Sequence, residues 1–104
     1  MKDSQVKKEV VQLISQDFYL ESDHFQPVPT DPEEIRNKLK GVIDHLLEND
    51  FERLLNAMYR LDIDESKFKQ VLSGVYGNDV SGKLAEIIIE RELRKVETRK
   101  RYQG

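Results

Sequence analysis

Apolar residues along this chain recur at intervals of three and four over five stretches, the period of helices that turn one face inward. Val6, Val10, Leu13 and Ile14 predict a first helix over 4–20. Asp17 falls on the same face, which is read most economically as fraying of the helix before it, rather than as a carboxylate meeting a base from elsewhere. The stretch "ESDHFQPVPTDP" then combines two close prolines with short polar residues and predicts a loop over 21–31. Asp31, Pro32 and Glu34 form a strong start signal, a cap, a first-turn proline and the far half of a capping box. Ile35, Leu39, Val42, Ile43, Leu46 and Leu47 carry that second helix over 32–49. Asp50 can cap a third over 51–61 with Phe51, Leu54, Leu55 and Met58 inward. Asp64 can cap a fourth over 65–76, with Ile63 stapled to Phe68, then Val71, Leu72 and Val75, and Gly77 and Asn78 as its stop. The last helix spans 80–102. No stretch reads convincingly as a strand, so the expected architecture is a single all-α domain: a small bundle of about five helices with a long charged C-terminal helix.

That last helix carries two apolar stripes. At 100° per residue Val80, Leu84, Ile87 and Ile88 form one, which turns polar at Arg91, Lys95 and Thr98, and Ala85, Ile89, Leu93 and Val96 form another that persists about two turns longer. A helix of one small domain needs a single broad face. The first stripe is therefore expected to seal the core, and the second to meet either the first helix or a second copy of the chain across a two-fold axis. Ala85, Ile89, Leu93 and Val96 are thus the candidate partner interface.

Charge sharpens this picture. The net charge is −3, yet from Glu90 to Tyr102 six bases face three acids, so this segment is +3 and the remainder −6. Arg94, Lys95, Arg99, Lys100 and Arg101 form a candidate basic patch for nucleic acid or another acidic surface. A simpler role is available to them, since bases favour the negative pole of a helix dipole. Glu92 and Glu97 interrupt the patch and Tyr102 is its single aromatic residue, so at most salt-sensitive, non-specific nucleic-acid binding is expected. A helix-turn-helix built from the third and fourth helices would offer base edges only Lys67, Lys69, Gln70 and Ser73, next to Glu65. Cysteine is absent, which removes disulfides and thiolate metal sites. With no long apolar run and no secretory leader pattern, a cytoplasmic protein without membrane contact is expected.

Two short motifs suggest chemistry and fail on their neighbours. Gly77 to Lys83 has the spacing of a phosphate-binding loop, but Leu84 stands where the magnesium hydroxyl belongs, and the segment before Gly77 has helical rather than strand periodicity. Its glycines are expected to break and start helices, with Asp79 or Ser81 as cap and Lys83 turned to solvent. Asp62, Asp64 and Ser66 begin like a calcium loop, yet Lys67 and Ser73 occupy the positions that require glycine and glutamate. His24 and His45 lack partners at ligand spacing, and Asp44 beside His45 points to another face of the helix. "LSG" around Ser73 has no base near it, and "PTDP" is followed by acids where a polyproline ligand carries a base. No metal, cofactor or catalytic residue is expected.

The stretches "DFERLLNAMYRLDIDESKF" and "LAEIIIERELRKVETRKRY" are similar to segments of small uncharacterised helical proteins of bacteria. This resemblance implies a bacterial, cytoplasmic, helical domain and no activity. The leading expectation is a non-enzymatic protein–protein interaction module that self-associates or binds another protein through its last helix. Nucleic-acid binding through the basic tail is the alternative, and a small-ligand or nucleotide site comes third.

Overall fold

The computed structural model describes residues 4–20 and 31–103, with side chains over 5–20 and 31–99. His24 and most of the proline loop lie outside the described residues. Among the described residues five helices follow one another: α1 (Ser4–Asp17), α2 (Pro32–Asn49), α3 (Phe51–Arg60), α4 (Glu65–Leu72) and α5 (Val80–Gln103). No strand occurs among the described residues. α5 is the spine, packing against α1, α2 and α4, while α2 also packs against α3. Ile14, Phe18, Ile35, Leu39, Leu84 and Ile88 are fully buried where these helices meet.

The caps explain the boundaries. Asp31 is extended and its Oδ1 accepts from the Glu33 N–H at 3.0 Å, so α2 begins with Pro32 in its first turn. Asp50 serves two helices. Its N–H closes α2 on the Leu46 carbonyl at 2.9 Å, and its carboxylate opens α3 by accepting from the Arg53 N–H at 3.2 Å.

Three helices end in the same way, with a left-handed residue just past the last turn. At α1 this is Tyr19 (φ 54°), with Tyr19 N–H on the Gln16 carbonyl and Leu20 N–H on Ser15. At α3 it is Asp62 (φ 54°), with Asp62 on Tyr59 and Ile63 on Met58; at α4 it is Gly74 (φ 85°), with Gly74 on Val71 and Val75 on Gln70. Each pair satisfies two carbonyls of the last turn, the hydrogen-bond pattern of a Schellman cap. The fourth helix therefore stops at Leu72, short of the expected Tyr76, because Gly74 rather than Gly77 supplies its left-handed residue. Val75, expected on the inward face, is 69% exposed instead.

The first helix also stops short, at Asp17 rather than at the expected position 20. It does not fray before Asp17 but includes it, and Phe18 just beyond is fully buried. Among the described residues the Asp17 carboxylate forms no ion pair with a base. Its side chain faces Glu92 of α5.

Candidate functional site

The phosphate-loop spacing resolves into a helix start. Asp79 caps α5, its Oδ1 accepting from the Gly82 N–H at 3.1 Å and its carbonyl from the Lys83 N–H at 3.0 Å. Two bases of α2 converge on the same carboxylate: Lys40 Nζ lies 2.6 Å from Asp79 Oδ1 and 3.0 Å from Ser81 Oγ, and Arg36 Nη2 lies 3.3 Å from Asp79 Oδ2. The hydrogen bond from Lys40, followed by that from the Gly82 N–H, holds Asp79 below its ordinary carboxylate range. Gly82 leaves room for this cluster, since a Cβ there would lie 2.6 Å from both Arg36 Nη2 and Asp79 Cγ. An incoming phosphate would thus meet a carboxylate where a phosphate loop presents free N–H groups. Lys83 is half-buried rather than turned to solvent, 3.9 Å from Glu86 and 5.7 Å from the Tyr76 ring centre.

The other expected motifs are likewise occupied locally. Asp62 closes α3, and Asp64 caps α4 by accepting from the Ser66 N–H at 2.9 Å. Among the described residues no group of three or more His, Asp and Glu could hold a metal ion. Exposed His45 lies 3.2 Å, through Nδ1, from the Asn49 amide. Of the helix-turn-helix set, Lys69 pairs with Glu65 at 3.4 Å, Ser73 donates its hydroxyl to the Gln70 carbonyl at 2.7 Å, and Lys67 lies 4.5 Å above the Tyr76 ring.

The second stripe of α5 is interior. Ala85 and Val96 have no exposure, while Ile89 and Leu93 are half-buried against the core. Glu92 lies at the edge of this stripe and meets Asp17, which places α1 on this side of α5. Of the two occupants expected for the stripe, the single chain described contains the first helix, with Ala85 and Val96 buried and Ile89 and Leu93 keeping partial exposure.

The same seam holds a feature absent from the expected sites. Glu92 has no exposure, neither of its carboxyl oxygens has a hydrogen-bond partner, and Asp17 Oδ2 is buried without one. Two carboxylates can only accept, so the pair closes only if one carries a proton. Burial, then the facing Asp17 carboxyl, push Glu92 up to about 8, with Lys95 and Arg99 pulling weakly the other way. Its spacing shows it on the apolar side of α5: Ala85, Ile88, Glu92 and Val96 follow one another at three and four residues. Two arginines of α3 hold the adjoining end of α1. Arg60 Nη1 donates to the Asp17 carbonyl at 3.1 Å and its guanidinium lies 4.2 Å above the Tyr19 ring; Arg53 Nη2 donates to the Phe18 carbonyl and, at 2.7 Å, to that of Tyr19. These bases do for the carbonyl end of α1 what a C-terminal Lys or Arg does within a helix.

The basic patch forms a surface. Arg94, Lys95 and Arg99 line a shallow hollow of about 410 Å³ together with Arg91 and Thr98, while the side chains of Lys100 and Arg101 lie outside the described residues. Arg91, which the tail grouping left out, joins them because it is one turn before Lys95, and its Nε is fixed on the Leu61 carbonyl at 2.8 Å. Arg91 and Arg94 are shared with a second groove, where Lys67 and Lys83 alternate with Asp62, Asp64 and Glu90. Among the described residues no acid lines the first hollow. No protein-family model matches the chain, and neither a curated protein nor a solved structure matches it.

Proposed function

We propose that this chain is a non-enzymatic interaction module that docks an acidic surface of another protein on the basic face of α5. The observation that carries this reading is the hollow lined by Arg91, Arg94, Lys95, Thr98 and Arg99, four bases with no acid among them on a molecule of net charge −3. A protein partner suits it better than a nucleic acid. The adjoining groove interleaves Asp62, Asp64 and Glu90 with Lys67, Lys83, Arg91 and Arg94, so a polyanion extending past Arg94 would meet charge of both signs, whereas a protein can present charge of either sign at each point. Among the described residues no aromatic side chain lines the hollow to stack on a base. Docking at Arg94 would also need to compete with Glu90, 3.0 Å from it, which an acidic partner can do at modest cost because this exposed pair contributes little.

The test is cross-linking capture from the native host with the wild type and with Arg94→Glu, Lys95→Glu and Arg99→Glu combined. The expected result is a protein cross-linked through its acidic residues to the α5 face, insensitive to nuclease, weakened by salt and at least about tenfold depleted in the triple variant. Capture abolished by nuclease would replace the protein partner with nucleic acid. Equal capture by both forms would remove the α5 face from the function.

A further inference from the structure

We propose that a proton held between Asp17 and Glu92 latches α1 onto α5, so that its loss loosens α1 and uncovers the stripe containing Ile89, Leu93 and Val96. This goes beyond the docking role and does not depend on it. Three buried carboxyl oxygens without donors meet across the one seam through which α1 chiefly packs. With a proton, Glu92 can donate to Asp17, and the pair carries a single negative charge held in a hydrogen bond. Without it two negative charges oppose each other in a buried contact, where their repulsion is far less screened than in water.

Among the described residues no side-chain cation forms a hydrogen bond with either oxygen of Glu92. From α5, Lys95 is half-buried and Arg99 exposed, and both reach Glu92 only as weak charges. From α3, the terminal nitrogens of Arg53 and Arg60 are committed to the carbonyls of Asp17, Phe18 and Tyr19, and Arg53 Nε, though buried without an acceptor, is not among the charges acting on Glu92. Arg91 of α5 is held on the Leu61 carbonyl. The carbonyl end of α1 itself adds the negative pole of a helix beside Asp17. Ionisation of both acids is therefore relieved by separating the helices, not by rearranging charge within the seam.

The sign follows from the upward shift of Glu92. The closed seam binds its proton up to a pH of about 8, while a carboxyl in water releases it in the ordinary range near 4.5, so docking of α1 weakens as pH rises between the two. Hydrogen exchange measured by mass spectrometry at pH 6 and pH 9, corrected for the intrinsic rate, reads this directly. Because each pKa unit between the two states is a factor of ten, protection of α1 is expected to fall at least about tenfold over that range, with α2 changing far less. Glu92→Gln should keep α1 equally protected at both values. Asp17→Asn, which gives Glu92 an amide donor, should shrink the pH effect and serves where the glutamine variant does not fold. Wild-type protection of α1 that is constant from pH 6 to pH 9 would overturn the latch, as would an equal pH-dependent loss in α1 and α2 or a Glu92→Gln variant that follows the wild type.

Discussion

Asp62 shows at the scale of one residue why a spacing motif misleads. Asp62, Asp64 and Ser66 have the rhythm of a calcium loop, yet each is spent on helix ends: Asp62 as a left-handed stop, Asp64 as a cap, Ser66 as the donor to that cap. The competing helical readings were visible in the flanking apolar periodicity, and for Asp64 the cap was legible. That Asp62 would be left-handed was not, because glycine marks such positions and aspartate tolerates them only at a cost. Replacing Asp62 by glycine is expected to raise stability by about 0.5–1 kcal/mol in urea unfolding, since it removes this backbone cost at an exposed side chain. Calcium should leave the midpoint of both proteins unchanged. A glycine variant less stable than the wild type would show that the carboxylate contributes to the turn. Gly82 carries a parallel lesson, with the glycine of a phosphate-loop spacing serving to admit the Asp79, Arg36 and Lys40 cluster.

Among the elements, starts were more legible than stops. Asp31, Asp50 and Asp64 cap α2, α3 and α4 as expected, because side-chain acceptors at helix starts are few in kind and act locally. The stops at Asp17 and Leu72 differ from the periodicity for a tertiary or conformational reason. Apolar spacing continued through Phe18 and Val75, but a left-handed residue intervened in each case. Tyr19 carries no signature of that geometry in its residue type. What holds it lies 34 residues away in the sequence, in the contact from Arg53, and further on in the Arg60 guanidinium above its ring. Arg53→Ala removes two charge-assisted bonds to main-chain carbonyls, of which the one to Phe18 is partly buried. A loss of about 1.5–3 kcal/mol is expected, read by chemical denaturation, with the largest loss of exchange protection in the last turn of α1. A uniform loss over all five helices would show that Arg53 supports the whole core rather than this end.

For the whole molecule, the two stripes of α5 were legible from periodicity, whereas the body that covers the second was not. Helical spacing gives the direction of a side chain about its own axis and nothing about which neighbour lies there. It also left Glu92 among the charges of a basic tail, although its place between Ile88 and Val96 puts it inside. The choice between a second copy and α1 turns on the supply of apolar cover, and α1 brings Val6, Val10, Leu13 and Ile14, all buried. A folded monomer with an exposed stripe is therefore not what a charge on this stripe should produce. Val96 has no exposure, so Val96→Glu places a carboxylate one turn from Glu92 in the same seam, at a cost of several kcal/mol. Ile89→Glu, at a half-buried site, can turn toward water and costs less. Domains of this size are stable by about 5–15 kcal/mol, so the two changes together should leave a chain with little cooperative melting at neutral pH. Circular dichroism melts with light scattering on the same samples decide the matter: loss of the melting transition is expected for the pair and a lowered midpoint for Ile89→Glu alone. A double variant that stays folded at half the wild-type mass would instead place a second copy of the chain on this stripe.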